Sequence, residues 1–272
     1  MKSFILFSPC CNWCLHIFTN CSQVEELIHD FFGAFVVSFE PEKDNLEYLH
    51  IHILKQDTGY LLSGKGQTYT IKNLKSVAFY LYAVIDKLVE GNMKENHCVF
   101  HGGVIAKDNT AYCIIAPTMS GKSTFVSYFA LNGYEYLSDD YIFVSRDEKL
   151  ITPMLLPISL RETNVLRELL QNSRLVSGYN ELKGEMNTLL SPNKKATNAY
   201  QLTNVIFIDR GENNDFYPMS KGDLYSSLLF NMKNALDLER ERVTIANWVN
   251  GIDGYVLSYR DFNFAEICLE SI

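Results

Sequence analysis

Lys122, Ser123, Asp139, Asp140 and His101 are the residues of this 272-residue chain whose types and spacing could do chemistry together. Gly121-Lys122-Ser123-Thr124 follows an apolar run over 112–115 and opens a second run in which Phe125, Val126, Phe129 and Ala130 fall at helical spacing. A strand, a tight turn and a helix start in that order make a phosphate-binding loop. Backbone N–H groups at the helix start meet an anion with the positive end of the helix dipole. The Lys122 ammonium can reach terminal phosphates, the Ser123 hydroxyl can ligate Mg²⁺, and Gly121 lets the main chain come close. Ala116 stands where the loop consensus has its first glycine. Asp139 and Asp140 come about one helix later, just ahead of an apolar run over 141–144. A crossover of that length is expected to return the chain beside the first strand, which puts both carboxylates near Lys122. Adjacent aspartates point in different directions, so one can face a metal and the other an acceptor. His101 precedes Gly102-Gly103 just before the loop's hairpin, where an imidazole can hydrogen-bond a carboxylate or a phosphate.

The elements that must position these groups are legible in outline. Residues 1–75 read as short strands, with a dense apolar run over 34–39, period-2 alternation over 48–54, and further strands around 60–62 and 68–71. His50 and His52 share one strand face without a third ligand in view. Apolar residues at 74, 77, 78, 81, 84, 85 and 88 predict a helix with one buried face, ended near Gly91. Helical character is expected over 163–170. Residues 171–198 are polar and carry Gly178, Gly184 and Pro192, which predicts a long surface loop or mobile lid. A buried strand over 202–208, a helix over 221–232 capped by Ser220, a strand over 255–259 and a closing helix over 263–269 complete the reading. The chain therefore divides into an N-terminal β-rich region with one helix, 1–95, and an α/β core, 96–272.

Composition narrows the partners. Apolar residues make up 47% and charged residues 21%, as in ordinary globular proteins. A formal net charge of −8 and the lack of any basic run argue against nucleic acid. No apolar stretch reaches the length of a membrane span, and the N-terminus lacks a signal-peptide cleavage pattern, so the expected compartment is cytoplasmic. Four of the seven cysteines crowd the N-terminus, including Cys11-Asn-Trp-Cys14. A zinc site would need a second ligand pair at comparable spacing, and none exists, so the cysteines read as small buried hydrophobes. The sequence leaves homo-oligomer formation open.

The order Phe100-His101-Gly102, a strand, Ser120-Gly-Lys-Ser-Thr124, Gly133-Tyr-Glu-Tyr-Leu-Ser-Asp139-Asp140, then Pro157-Ile-Ser-Leu160 resembles the HPr serine kinase/phosphorylase superfamily. It looks closest to the short HPr-kinase-like proteins of peptide natural-product (RiPP, lasso-peptide type) clusters, over about residues 97–270. The resemblance implies an α/β (α+β) P-loop kinase core of the HPr kinase/phosphoenolpyruvate carboxykinase type, with a mixed β-sheet and flanking helices. It implies an ATP- and Mg²⁺-dependent kinase whose acceptor is a serine hydroxyl on a peptide or small protein. Carried onto this sequence, Thr118, Met119, Ser120, Gly121, Lys122, Ser123 and Thr124 would cradle the nucleotide, and Ser123 and Asp139 would hold the metal. Asp140 would be the base toward the acceptor, Asp139 a metal-side carboxylate, and His101 their polar neighbour. The family loop reads G-x-S-G-x-G-K-S; here Ala116 and Met119 replace two glycines and Thr118 replaces the serine. The long glycine-rich acidic signature of the bifunctional enzymes is missing. Two other readings of the same loop are a non-catalytic nucleotide-binding sensor or scaffold, and a P-loop NTP hydrolase.

Overall fold

The computed structural model describes residues 1–38, 41, 46–161, 166–180, 185–234 and 237–272. It is a mixed α/β protein. Chain contacts group Met1–Lys94, Leu155–Asn164 and Asn172–Ser191 into one compact unit, and Glu95–Met154, Val165–Gln171 and Pro192–Ile272 into a second.

The first unit is built on a six-stranded sheet of β1 (Lys2–Phe7), β2 (Trp13–Thr19), β3 (Val36–Val37), β4 (Glu47–Gln56), β5 (Gly59–Gly64) and β6 (Gln67–Ile71), in the order β3-β1-β2-β4-β5-β6. Only the β2–β4 pair is parallel; the rest are antiparallel. Between β2 and β3 lies α1 (Ser22–Phe32), where the all-strand expectation fails. Val24, Leu27, Ile28, Phe31 and Phe32 recur at helical spacing and are all buried, and that packing outweighs the absence of a side-chain N-cap. The helix expected from residue 74 is α2 (Leu74–Gly91), its first turn capped by the Asn73 side chain accepting from Ser76 N–H. All seven cysteines are buried. Burial pushes the Cys11 thiol far above its ordinary value, which makes it inert as a nucleophile or ligand.

The second unit has three layers. Its main sheet joins β8 (Gly102–Lys107), β9 (Thr110–Ile115), β10 (Glu135–Ser138), β17 (Asn204–Arg210), β18 (Asp215–Pro218) and β19 (Asp253–Tyr259) in the order β10-β8-β9-β17-β19-β18. Strands β9, β17 and β19 run parallel in the centre, and antiparallel strands flank them. The β8–β9 hairpin turns on Asp108 and Asn109, both at positive φ, the backbone that a two-residue hairpin loop demands. One face of this sheet carries α3 (Lys122–Leu131) and α6 (Phe262–Glu270), locked by Phe125, which meets Tyr259 edge-on, and by Tyr128, which stacks on Phe262. The other face buries Val104, Cys113, Ile115 and Val205 against a second, antiparallel sheet and two helices. That sheet contains β7 (His97–Phe100), β11 (Ile142–Ser145), β12 (Leu150–Thr152) and β16 (Tyr200–Gln201); the helices are α4 (Lys221–Phe230) and α5 (Leu238–Val249). Ser220 caps α4 as its sequence predicts. Helix α5 escaped the sequence reading because its exposed face is densely charged, whereas Asp237 caps it and Ile245 and Trp248 bury it.

The loop or lid expected over 171–198 is instead largely ordered. Strands β13 (Ile158–Leu160), β14 (Arg174–Asn180) and β15 (Glu185–Ser191) form an antiparallel sheet in the first unit. Leu175 faces Leu190 and Val176 faces Leu189, while Ser177 and Thr188 share a 2.8 Å hydroxyl hydrogen bond. A few apolar pairs backed by cross-strand hydrogen bonds suffice for a strand pair, which composition alone hides. The connection at 181–184, including Gly184, lies outside the described residues, as do 163–165 of the stretch expected to be helical; Leu169–Asn172 is a short 3₁₀ turn.

Across the second unit a buried ion pair ties α5 to the end of β11. Arg146 Nη2 donates to Glu241 Oε1 at 2.7 Å, Nη1 to Oε2, and the two side chains are 8% and 2% exposed. Arg146→Met strands a buried carboxylate and should cost about 3–5 kcal/mol in urea unfolding. Adding Glu241→Leu should recover most of it. A loss below about 1 kcal/mol for the single variant would show that the pair does not hold α5 in place.

Candidate active site

Three chain segments meet at one edge of the main sheet. Strands β9 and β10 are both antiparallel to β8, so their C-terminal ends lie at the edge where β8 begins. That edge therefore gathers the loop after β9, His101 to Gly103, and Asp139-Asp140 after β10. Strand β10 does not lie beside β9 as the crossover argument expects: β8 stands between them. The groups nonetheless meet because β8 opens with two glycines. A Cβ on Gly103 would stand 2.6 Å from Val126 Cγ2 of α3, 3.1 Å from the Ser138 carbonyl oxygen and 3.3 Å from Asp139 Oδ1. A Cβ on Gly102 would stand 2.4 Å from Ile142 Cδ1. Bare backbone at both positions lets the helix and the carboxylate close over β8.

Lys122 is the first residue of α3 and is buried. Its Nζ donates to Asp139 Oδ1 at 2.5 Å and to Asp140 Oδ1 at 2.8 Å. Burial opposes the ammonium charge, but the two carboxylates outweigh it and hold the lysine above its usual value. Asp139 is more deeply buried than Asp140, with side chains 3% and 35% exposed. Burial pushes the Asp139 carboxyl above the ordinary range despite Lys122, and the Asp140 charge adds to the rise. Burial also works against Asp140, but there the Lys122 charge and hydrogen bond prevail, with His101 and Lys233 assisting, and its value is lowered. Burial, followed by the Lys122 charge, lowers His101, leaving a neutral imidazole whose Nδ1 is buried with no partner among the described residues.

The loop itself bends tightly. Ser120 N–H and Oγ both donate to the Pro117 carbonyl, with Met119 at φ 69° and Gly121 at φ 92°. Glycine takes such angles freely; methionine holds one only under strain of about 1–2 kcal/mol. Thr118 and Met119 lie exposed on the loop, outside the Lys122 cluster, whereas Ser120, Ser123 and Thr124 are half-buried. Gly121 offers no side-chain cap, so the first-turn N–H groups of α3 have no side-chain acceptor there, as an anion site needs. For a divalent cation the residues fit. Asp139 Oδ2 is buried without a partner among the described residues, and the Ser123 hydroxyl lies close enough to stabilise the Asp139 carboxylate.

Lys233, which sequence reasoning missed, belongs to the same cluster. Its ammonium lies 4.0 Å from the centroid of the Tyr141 ring, directly after Asp140. The segment 231–234 is fixed along β7: Lys233 N–H donates to Val99 O, His101 N–H to Asn231 O, and the Asn234 amide brackets β7 through Val99 N and His97 O. Nothing in the Asn231-Met-Lys-Asn234 string announces chemistry, because its position follows from the edge it covers. Among the described residues no group of histidine, cysteine and carboxylate ligands forms a further metal cluster, and no helix is long and apolar enough to cross a membrane.

No protein-family model matches the chain, and no curated protein matches its sequence. Among solved structures it is similar to the Hpr(Ser) kinase/phosphatase from Coxiella burnetii, at 12% identity and a TM-score of 0.31, over 64% of this chain and 94% of that one.

Two carboxylates sharing one buried lysine make opposite predictions. Asp139 has a folded-state value above its unfolded one, so its charge costs stability at neutral pH, a cost relieved as pH falls through the folded value. Asp140 is lowered, so it contributes stability above its unfolded value that is lost as pH falls through the folded one. At pH 7 and without nucleotide, Asp139→Asn should raise stability, whereas Asp140→Asn should lower it. Thermal unfolding checks both signs. A destabilised Asp139→Asn would mean that the ion pair outweighs the burial.

Proposed function

We propose that the chain is an ATP- and Mg²⁺-dependent phosphotransferase whose acceptor is a serine hydroxyl of a peptide or small protein. The observation that carries the reading is Lys122 at an uncapped helix start, 2.5 and 2.8 Å from two adjacent carboxylates of unlike burial. The family resemblance of the motifs supplies the acceptor class, down to a precursor peptide of a ribosomal natural product. The reading assigns catalysis to the 96–272 core, in the cytoplasm.

Phosphoryl transfer needs positioning and charge stabilisation more than covalent chemistry. The first-turn N–H groups of α3 and the Lys122 ammonium bind the nucleotide's phosphates. Ser123 and Asp139 would hold Mg²⁺, which when bound neutralises charge between the phosphates. Engaging a phosphate draws Lys122 away from Asp140, and the carboxylate then loses the counter-charge that keeps its proton affinity low. Asp140 is thereby a weak base in the empty site and a stronger one when the nucleotide is in place. It takes the proton of the attacking hydroxyl, and the neutral His101 orients it. Lys233 supplies positive charge beside Asp140 that does not depend on Lys122.

The test is nucleotide binding and turnover measured separately. Mg²⁺-ATP should raise the thermal midpoint of the wild type, and Lys122→Met should abolish that shift. Asp140→Asn should keep the shift but lower phosphopeptide formation about 10²–10⁴-fold, the range for loss of a general base. A shift without transfer to any serine peptide would favour the binding module. Phosphate release without an acceptor would favour the hydrolase. Equal transfer by Asp140→Asn would remove that residue from its role.

A further inference from the structure

One cavity lies wholly in the first unit and shares no lining residue with the lysine–carboxylate cluster. It measures ≈ 550 Å³ and opens between α2 and the face of the six-stranded sheet. Leu49, Ile51, Ile71, Phe79, Val84 and Leu88 give it an apolar floor and wall. Behind the helix, the Phe79 ring comes within 3.5 Å of where a Cβ on Gly178 of β14 would stand, so α2 is braced on that side. The cavity's mouth is Tyr69 and Tyr80, whose rings meet at 6.2 Å, together with Gln67, Lys65 and Lys87.

One wall of the mouth is an edge strand. The sheet order ends at β6, which pairs with β5 on one side only, and four of its five residues are exposed. An edge strand presents alternate N–H and C=O groups that another chain can complete. Charge sets the choice of partner. Both Glu47 oxygens are engaged, Oε1 by Lys65 at 2.6 Å and Oε2 by the Asn92 amide at 2.8 Å. Lys87 is exposed and has no ion-pair partner among the described residues. The mouth therefore offers one spare positive charge on a chain whose net charge is −8. That net charge opposes pairing between two copies of the chain.

We propose that this groove binds an extended peptide by strand addition to β6, with alternate apolar side chains in the cavity and an acidic side chain at Lys87. Five residues of β6 span about 17 Å, enough for two inward-facing side chains of the added strand. Backbone hydrogen bonds give the affinity and the cavity and Lys87 give the selectivity, the usual division in strand-addition recognition. The first unit is then a peptide-docking module, a role that stands whether or not the second unit transfers phosphate.

The test uses the full chain without nucleotide, so its outcome is independent of phosphoryl transfer. The probe is a fluorescein-labelled peptide of alternating valine and threonine with one aspartate, read by anisotropy. Two companions carry lysine for the aspartate, or N-methyl groups on alternate backbone nitrogens. The aspartate peptide should bind, the N-methylated one should not, and Lys87→Glu should weaken the aspartate peptide about tenfold while improving the lysine peptide. Thr70→Pro, which spoils the edge, should abolish binding with the thermal midpoint unchanged. The proposal is overturned by no binding of the aspartate peptide, by binding indifferent to N-methylation, or by full displacement with decanoate, which would make the groove an acyl-chain site. Dimerisation at assay concentration that Thr70→Pro abolishes would overturn it in favour of a second copy.

Discussion

The second unit depends on a charge that is only partly balanced. One buried ammonium, Lys122, is shared by two carboxylates, Asp139 and Asp140; Lys233 adds positive charge at Asp140, while the deeper Asp139 keeps one oxygen, Oδ2, without a partner among the described residues. Taking an unpaired carboxylate out of water is costly, so such an arrangement persists only where the surrounding structure enforces it. The main sheet does so by ending β9 and β10 at one edge. Helix α3 places Lys122 at its first position, and the aromatic group of Phe125, Phe129, Tyr259 and Phe262 anchors that helix. The two carboxylates then differ in depth and in neighbours, since His101 and Lys233 add to the effect of Lys122 on Asp140. The deeper is pushed toward protonation and the shallower is held ionised.

Bare backbone is the second constraint. An ordinary strand between β9 and β10 would fill the space with side chains and keep Lys122 from Asp139. Gly102 and Gly103 remove them, each toward a different face of the sheet, since Ile142 lies over one and Val126 over the other. Gly121 serves the loop differently: nothing lies within 4 Å of where its Cβ would stand, and what it supplies is the φ of 92° at the turn. His101 shares the strand's start, which is why its imidazole joins the cluster.

How much of this could be read from the sequence depends on whether the signal was local. Helix α2 was legible from its apolar period, α4 from Ser220, and the loop–helix start from Gly121-Lys122-Ser123. The Lys122–aspartate meeting was legible too, although through a wrong neighbour, because strand order is a long-range property that spacing does not encode. Helix α1 was present in the spacing of Val24, Leu27, Ile28 and Phe31 but was obscured by flanking strand-like runs. The β14–β15 pair was hidden by its composition, since its few apolar residues are effective only when packed in register. Lys233 carried no signal at all: it reaches Asp140 because Asn234 bonds the edge of β7, a contact spanning 135 residues of sequence.

Strain and charge point the same way at this site. Two of its non-glycine residues, Met119 and Asp140, hold positive φ. An aspartate tolerates that backbone, whereas a methionine holds it only under strain. The free energy stored there resembles the cost of the uncompensated carboxylate: both destabilise the empty protein, and both can be relieved by a ligand that supplies contacts and positive charge. A divalent cation at Asp139 Oδ2 would satisfy the orphaned oxygen, and phosphates at the start of α3 would give Lys122 a second anion. Each ligand improves the electrostatics for the other, so the two should bind with positive coupling. In the proposed reaction the same coupling would release Asp140 from Lys122 only when a phosphate is present, which would link the proton affinity of that carboxylate to nucleotide occupancy rather than to bulk pH.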